Sequence, residues 1–380
     1  MNPSKEKKRI GINLLFINPK LYGGSVVYAI KLIEELSKLD KNNFYYIYIN
    51  KESKKLKLKI GSNFVIRVLN FNYYSVYLRY FWEQFILPFY LSKDKIQLIH
   101  SPGYVTPILT PVKKLVSILD INYKGHSSNM KLIKRILLGI MVNLSARLSN
   151  SIITISEFSK KQIIKHTNTK AHKINVTLLS GSSDVKISNN ISKKLLKSKY
   201  KINSDYIICF SSSSPHKNIV KFIESIKDIL IKRSDLKLVL VGHVNDKIFN
   251  IIQKLKLEEY IVFTGFVPDE DVNPLISYSK VFVFPSLYEG FGIPLLDAQS
   301  CGVPVISSNA GSLPEVGGSE IYYFDPKSKI DIYNTVLKVI NLVDNKKVDD
   351  LINFGFSNRS KFSWNKTAKE TLDIYKKILK

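Results

Sequence analysis

Short apolar runs alternate along this chain with longer segments whose apolar residues recur at helical spacing. Residues 25–39 show the helical pattern, and residues 219–232 repeat it in the second half. The runs between such segments are continuously apolar, which is typical of strands that a parallel sheet buries on both faces. The strands predicted in this way are 9–17, 45–50, 64–69, 97–100, 115–119, 151–155, 175–179, 206–210, 237–241, 260–264, 281–285, 303–307 and 321–324.

A polar and basic stretch, 186–203, separates two such alternating sets. The chain of 380 residues is long enough for two domains that each bury a core. The pattern therefore predicts an α/β protein of two doubly wound, Rossmann-like domains. Sheets of this kind bind ligands at the carboxyl ends of their strands, so we expect the ligand in the crevice there.

Two carboxylates, Glu289 and Asp297, stand eight positions apart around a glycine turn. Pro294 fits the first turn of a helix because its missing N–H would be unpaired there. The free N–H groups of residues 291–295 would point back toward Glu289 across Gly292 and offer a phosphate site, while the carboxylates suit hydroxyl groups. The run predicts a nucleotide or sugar phosphate ligand, although Glu-Gly-x-Gly alone would also fit an ordinary strand–turn–helix connection.

The chain continues from this helix into a buried strand and a second turn at 309–312, which together would form one wall of a crevice. The whole stretch 285–318 resembles the retaining family-4 glycosyltransferases of the two-Rossmann-domain (GT-B) type, and in particular bacterial surface-polysaccharide mannosyl- and rhamnosyltransferases. Their signature is Glu, seven residues and Glu inside a Glu-Gly-Phe-Gly-x-Pro-x-x-Glu-Ala run. One departure is visible, since Asp297 replaces the second Glu.

The resemblance implies two domains that face each other across a cleft, with a final helix that crosses back onto the first. The first domain, 1–185 plus 361–380, would hold the acceptor, and the second, 186–360, the nucleotide sugar. The implied reaction moves a hexose, with retained configuration, from a nucleotide-diphosphate sugar to a glycan or polyprenyl-linked glycan in surface polysaccharide synthesis. GDP-mannose is the donor that the overall resemblance favours. We expect no cofactor and no metal ion.

A lysine, Lys217, stands where a predicted strand gives way to a helix, beside Asn218 as the expected N-cap. A lysine there is placed to meet a phosphate, although an exposed lysine beside a helix cap would look the same. The resemblance implies that it contacts the donor diphosphate, with His216 in the slot where many members carry Arg. Gly23 and Gly24 precede the first helix, and such glycines let a backbone approach a phosphate.

Asp120 follows the strand 115–119 at a position where the family commonly has His-Asp. Leu119 replaces that His, so we predict no catalytic histidine. Asp120 would hold a sugar or acceptor hydroxyl, or equally cap the following loop. The loop at Val267 resembles the one whose backbone meets the nucleotide base. The implied catalytic residues are Glu289, Lys217 and Asp120, and the implied donor-binding residues are Asp297, Gly292, Phe291, Ile293, His216, Gly24, Gly23 and Val267.

The net charge of +26 is unevenly distributed. Residues 1–185 hold 29 basic and 10 acidic residues, a net charge of +19, against 28 and 21, or +7, in the remainder. Such a surface attracts polyanions or an anionic membrane leaflet, although general enrichment in lysine would produce much of it. The charge suggests an acceptor that is lipid-linked or anionic. No nucleic-acid-binding motif accompanies it, so we predict no nucleic-acid partner.

No run reaches the roughly 18 apolar residues that a membrane span needs. Cys209 and Cys301 lie far apart, and each adjoins an apolar run, which indicates buried thiols in a reducing compartment. We therefore expect a cytoplasmic protein, either free or at the inner face of the membrane. Two rival functions stay open, namely a nucleotide-sugar epimerase of the same architecture and a non-catalytic basic binding protein with a relic site.

Overall fold

The computed structural model describes residues 7–18, 23–73, 75–122, 132–182, 192–342 and 345–380. These form two compact units. The first unit comprises Met1–Lys124, Asn129–Leu179 and Ser363–Lys380, and the second comprises Ser180–Phe362. The boundaries predicted from the sequence fall after residues 185 and 360, whereas the two compact units divide after Leu179 and after Phe362.

The first unit is built on one parallel sheet with the strand order β3-β2-β1-β4-β5-β6-β7. A π-helical turn at Trp82–Ile86 joins the helices Val76–Phe81 and Leu87–Lys93 into one continuous helical segment. The strands are β1 (Arg9–Asn13), β2 (Phe44–Asn50), β3 (Phe64–Leu69), β4 (Leu98–Ser101), β5 (Lys113–Ser117), β6 (Ser151–Thr154) and β7 (Ile174–Val176), and the helices are α1 (Gly24–Leu39), α2 (Val76–Phe81), α3 (Leu87–Lys93), α4 (Leu132–Leu148) and α5 (Glu157–Thr167).

The second unit repeats this plan with a parallel sheet of strand order β10-β9-β8-β11-β12-β13. Its strands are β8 (Asp205–Ser211), β9 (Leu236–Gly242), β10 (Ile261–Gly265), β11 (Val281–Phe284), β12 (Val305–Ser308) and β13 (Tyr322–Phe324), and its helices are α6 (Lys193–Lys199), α7 (Ile219–Lys232), α8 (Asp246–Leu255), α9 (Asp269–Ser277), α10 (Ile293–Ser300), α11 (Leu313–Gly317), α12 (Lys329–Ile340) and α13 (Asn345–Ser360).

Successive residues of the second sheet feed two different cores. Ile207 and Cys209 of β8 pack into one buried cluster, while Tyr206 and Ile208 pack into another. Both faces of the sheet are therefore covered by helices, which explains why its strands are continuously apolar in sequence. This arrangement confirms the predicted α/β class of two Rossmann-like sheets.

The final helix, α14 (Trp364–Leu379), packs against α1 of the first unit, as predicted. The hydroxyl of its Tyr375 lies 2.7 Å from Nδ1 of His100 at the end of β4. The other ring nitrogen of His100 lies 2.8 Å from the Ser117 hydroxyl, and burial lowers the pKa of His100 to about 3. A neutral imidazole therefore joins the last helix to the sheet.

The first predicted strand, 9–17, is shorter in the structure. β1 ends at Asn13, and the buried residues after it form a turn in which the Leu15 N–H donates to the Asn13 side chain. The Asn50 side chain donates to the carbonyl of Ile17. An apolar run thus continues past the strand because the loop that follows it is also buried.

Within the residues that the structure describes, no helix has the length and apolarity required to cross a membrane.

Candidate functional site

The second unit brings Lys217 and Glu289 together at the carboxyl ends of two neighbouring strands. β8 and β11 pair in parallel, so the loops that follow them leave the same edge of the sheet. Lys217 Nζ donates to Glu289 Oε1 at 2.7 Å, although the two residues are far apart in sequence. Their side chains are 22% and 15% exposed, so the ion pair is partly shielded from solvent. Shielding strengthens the attraction relative to a surface pair.

Neighbouring groups orient this pair. The hydroxyl of Ser286, a fully buried residue, donates to the same Glu289 oxygen at 2.8 Å. Lys217 Nζ lies 5.0 Å from the centre of the Phe284 ring, within the range of a cation–π contact. The backbone N–H of Leu287 donates to the carbonyl of His216 at 2.7 Å. The two loops are thus joined through both side chains and backbone.

The helix α10 begins as the motif predicts, at a glycine that the fold requires. Gly292 has a φ of +111°, and a Cβ there would lie 2.7 Å from a methyl of Leu313. The Leu295 N–H donates to the Gly292 carbonyl, and Pro294 carries no N–H. We expected free N–H groups at residues 291–295. That prediction is wrong for Pro294 and Leu295, so the expected row of N–H groups is reduced to residues 291–293.

Phe291 contributes only backbone to this edge of the sheet. Its side chain is 3% exposed and packs edge-on against Phe362, with ring centres 5.9 Å apart. Ile293, the first residue of α10, is partly buried. A ligand at the start of the helix would therefore meet the main chain of Phe291 rather than its side chain.

The second turn, predicted at 309–312, holds the first one in place. Gly311 has a φ of +64°, and a Cβ there would fall 2.6 Å from the Glu289 carbonyl oxygen. The Ser312 hydroxyl lies 3.0 Å from that carbonyl oxygen and 2.9 Å from that of Phe291, donating toward both. Sequence reasoning missed Ser286 and Ser312 as supporting residues. The only signal was their position beside the two turns.

Asp297 lies about one turn into α10 and is bound by the protein itself. Ser182 donates to its carboxylate twice, through the backbone N–H at 2.7 Å and the hydroxyl at 2.5 Å. Burial raises the pKa of the Asp297 carboxyl, and the Ser182 hydrogen bonds oppose that rise. Gly181 allows this approach, because a Cβ there would lie 2.5 Å from a carboxylate oxygen. The resemblance implies that Asp297 accepts hydrogen bonds from the ribose hydroxyls of the donor, and that role stays a prediction.

Two further predicted residues lie on the same unit. We expected Asn218 to cap α7 with its side chain, but it does not. Its φ is +60°, and its side-chain amide donates to the carbonyls of Pro285 and Pro326. It therefore fastens the strand-end loops instead. Val267 is partly buried against the core beside Phe266, which is 87% exposed.

The predicted residues of the first unit are less tightly packed than those of the second. Gly23 and Gly24 precede and begin α1, and a Cβ on either would meet nothing within 4 Å among the residues that the structure describes. Asp120 accepts hydrogen bonds from the Tyr104 hydroxyl at 3.3 Å and from the Asn122 N–H at 3.2 Å. The second bond is the loop-capping role that the sequence left open. Leu119, in place of the family histidine, is buried.

Asp120 also lines a cavity of about 300 Å³ in the first unit. Arg79 lies in its wall beside the buried Glu83, with Arg79 Nε 3.5 Å from a Glu83 oxygen. Tyr104 forms another part of the wall with a φ of +71°, which is uncommon for an aromatic residue. Rings and charged groups in one concave surface suit a sugar or another polar ligand. Among the lining residues Arg79, Tyr104 and Asp120, only Asp120 was predicted from the sequence.

Two Rossmann-like units in one chain are the architecture of the GT-B fold. Residues 192–356, which lie in the second unit, match the sequence model of the family described as "Glycosyl transferases group 1". The match confirms the resemblance drawn from the Glu289 motif.

Relatives extend the likeness beyond the second unit. The chain is 33% identical over 230 residues to the O-antigen chain mannosyltransferase B of Escherichia coli. This alignment covers 59% of this chain and 60% of that protein. It is 30% identical over 239 residues to the serotype-specific mannosyltransferase WbdA of Escherichia coli, covering 61% of this chain and 29% of that protein. The chain therefore spans less than two thirds of either relative.

A solved structure resembles the whole chain. The glycosyltransferase from Rickettsia africae ESF-5 superimposes with a TM-score of 0.75 and covers 99% of both chains at 19% sequence identity. At that identity the likeness supports the GT-B fold.

Proposed function

We propose that this protein is a retaining glycosyltransferase that moves a hexose from a nucleotide-diphosphate sugar to a glycan or lipid-linked glycan of a surface polysaccharide. The observation that carries the proposal is the Lys217–Glu289 pair at the ends of β8 and β11, next to the start of α10. GDP-mannose remains the preferred donor, a choice supported by the two Escherichia coli relatives described as mannosyltransferases.

In this proposal Lys217 stabilises the leaving diphosphate. Negative charge grows on the departing group as the sugar bond breaks, and a cation already in place lowers the barrier. At a separation of about 4 Å and an effective dielectric constant of about 20, such a charge contributes roughly 4 kcal/mol before desolvation costs. The start of α10, with backbone at Phe291, Gly292 and Ile293, adds partial positive charge. We expect these groups to make a metal ion unnecessary.

The ion pair gives Glu289 a further role in the cycle. Lys217 now bonds to Glu289, so an arriving diphosphate would compete for the ammonium group. Once Lys217 turns to the phosphate, the Glu289 carboxylate would be available to a hydroxyl of the donor sugar, still oriented by Ser286. Donor binding would thus break the Lys217–Glu289 ion pair of the unliganded protein.

We place the acceptor in the first unit, at the cavity that contains Asp120. Its lining combines tyrosine rings with Arg79, Lys134 and a single carboxylate, which can stack on a sugar face and bind its hydroxyl or anionic groups. Gly23 and Gly24 stand next to Ser25, another residue of the cavity wall. The roles of Val267 toward the base and of His216 toward the diphosphate stay part of this proposal.

The test is a panel of nucleotide sugars incubated with the purified protein, with and without a mannan-type glycan acceptor. The proposal requires nucleoside diphosphate release that depends on the acceptor and yields an extended glycan with the anomeric configuration of the donor. Conversion of the donor alone into an epimer would identify an epimerase instead. Failure of every nucleotide sugar to raise the unfolding temperature would indicate a non-catalytic binding protein.

A further inference from the structure

The helical segment Val76–Lys93 of the first unit exposes a row of aromatic rings to solvent. Its inner face is buried, with Tyr80, Leu87 and Leu91 at most 7% exposed. Its outer face carries an aromatic residue at every fourth position, and the rings of the middle two lie 5.4 Å apart. These four residues are Tyr77, Phe81, Phe85 and Phe89, which are 51, 51, 53 and 73% exposed.

The helix α4 exposes a matching aliphatic row. Its inner face packs into the core through Met141, Val142 and Ala146. Its outer face carries large aliphatic side chains where a solvated helix would normally carry polar ones. They are Leu132, Ile133, Ile136, Ile140 and Leu144, which are 60, 71, 53, 52 and 38% exposed.

Hydrogen bonds place these two helices on either side of one connecting segment. The Gln84 side chain donates to the Thr106 carbonyl at 3.1 Å, and the Thr106 N–H donates to the Ser145 hydroxyl at 3.1 Å. Leu109, a few residues further along this segment, is 68% exposed. We call the aromatic row, the aliphatic row and Leu109 together the apolar face. Exposed apolar surface of this extent normally marks an interaction site.

The charge around the apolar face is positive. Residues 76–148 contain ten basic and three acidic residues, a net charge of +7. The acidic residues have partners of their own, because Glu83 lies beside Arg79, Asp94 pairs with Arg67 and Asp120 lines the cavity. Basic residues remain at the surface of both helices and at the start of β5. They include Lys93, Lys113, Lys134 and Arg147.

We propose that the apolar face docks on an anionic lipid bilayer. Aromatic and aliphatic side chains gain free energy by entering the interfacial region, and basic residues around them are attracted to anionic headgroups. A second copy of this chain fits poorly, since pairing two such faces would bring together two segments that each carry a net charge of +7 in sequence. A charged leaflet satisfies both the apolar rows and the basic residues at once.

The docking does not depend on the proposed transferase activity, and its test uses no nucleotide sugar. Full-length protein is sedimented with vesicles of phosphatidylcholine mixed with phosphatidylglycerol, and with vesicles of phosphatidylcholine alone. We expect binding to the anionic vesicles, at least about tenfold weaker binding to the neutral ones, and a residual fraction bound at high salt because of the apolar contribution.

The decisive variant replaces three outer rings, as Phe81→Ser, Phe85→Ser and Phe89→Ser combined. It should lower the partition coefficient on anionic vesicles by at least about tenfold while leaving the unfolding temperature near that of the wild type, because these rings lie outside the core. The matched control replaces three exposed apolar residues of the second unit, as Ile231→Ser, Phe249→Ser and Ile330→Ser, which are 46, 47 and 74% exposed in the parent chain.

Several results would overturn the proposal. The wild type would fail to bind anionic vesicles, or the ring variant would bind as tightly as the wild type. An equal loss of vesicle binding in the control variant would show that exposed apolar residues anywhere on the protein adhere to the vesicles. Self-association in solution that the ring variant abolishes would show that a second copy covers the apolar face instead. Changing Ile133, Ile136 and Ile140 to Ser provides a second variant, and it should weaken vesicle binding in the same direction.

Discussion

The two units place glycines at comparable strand-to-helix turns, yet the surrounding protein treats them differently. In the second unit Gly292 and Gly311 have positive φ, and an added Cβ would collide with Leu313 or with the Glu289 backbone. In the first unit, Gly23 and Gly24 adopt no such conformation, and an added Cβ would meet none of the described atoms within 4 Å. The turn of the second unit is thus fixed by the residues around it, whereas no described residue crowds Gly23 or Gly24.

This difference explains why the candidate site of the second unit can be predicted from a motif, whereas the cavity of the first unit cannot. A turn that must hold Glu289 and the start of α10 in one geometry needs particular residues at particular spacings. The cavity of the first unit draws its wall from Phe16, Arg79, Tyr104 and Lys134, which are spread over more than a hundred residues. No short pattern in the sequence connects them.

The largest effect should come from the charged pair of the second unit. Lys217→Ala or Glu289→Ala should lower kcat by about 10² to 10³, since each removes a group that acts on the leaving diphosphate or the donor sugar. Lys227→Ala, a change at a side chain that is 43% exposed on the same unit, is the control and should leave kcat unchanged. Initial rates of nucleoside diphosphate release measure both. Turnover near the wild-type value in the Glu289 variant would remove that residue from the mechanism.

Glycine substitutions test the comparison between the units directly. Gly311→Ala should destabilise the fold by about 1–3 kcal/mol, because φ is +64° and the new methyl would meet the Glu289 carbonyl. Gly24→Ala should change the free energy of unfolding by less than about 0.5 kcal/mol and act on catalysis alone. Urea denaturation gives both values. Equal destabilisation by the two changes would contradict the distinction drawn here.

Asp297 tests whether the second carboxylate serves the ligand or the fold. Asp297→Glu should keep activity, and Asp297→Ala should strongly raise the donor KM if the ribose role is correct. Because Ser182 donates to this carboxylate twice, Asp297→Ala should also cost about 1–3 kcal/mol of stability. Ser182→Ala separates the two roles, since it weakens only the internal contact. A normal donor KM in the Asp297→Ala variant would show that Asp297 has a structural role only.

The effect that is smallest near neutral pH, and that grows in acid, concerns His100 in the first unit. Burial holds the pKa of His100 at about 3 in the folded state, below its ordinary value near 6.5. Unfolding therefore takes up a proton below pH 6.5, so stability is full above that pH and falls by up to about 1.4 kcal/mol per pH unit as the pH drops toward 3. His100→Asn should flatten this slope. An unchanged slope in that variant would assign the acid sensitivity to other groups.

The sequence predicted the sheets, the glycine-led helix and the positions of Lys217 and Glu289 after the ends of β8 and β11, because buried parallel strands and a crowded turn leave strong constraints on residue type. It did not predict Ser286 or Ser312, whose role depends on a hydroxyl meeting a distant backbone or carboxylate. It also missed the apolar face. Along Val76–Lys93 apolar residues occur on nearly every side, so periodicity could not tell the buried face from the exposed one.

The central claim is that Lys217 and the loop of Glu289 receive the diphosphate of the donor. Its most direct test is the calorimetric Kd of the wild type and of Lys217→Met for whichever of GDP and UDP binds more tightly. We predict that the variant binds at least about tenfold more weakly, as expected for the loss of one charge-assisted contact. An unchanged Kd in the Lys217→Met variant would contradict the account.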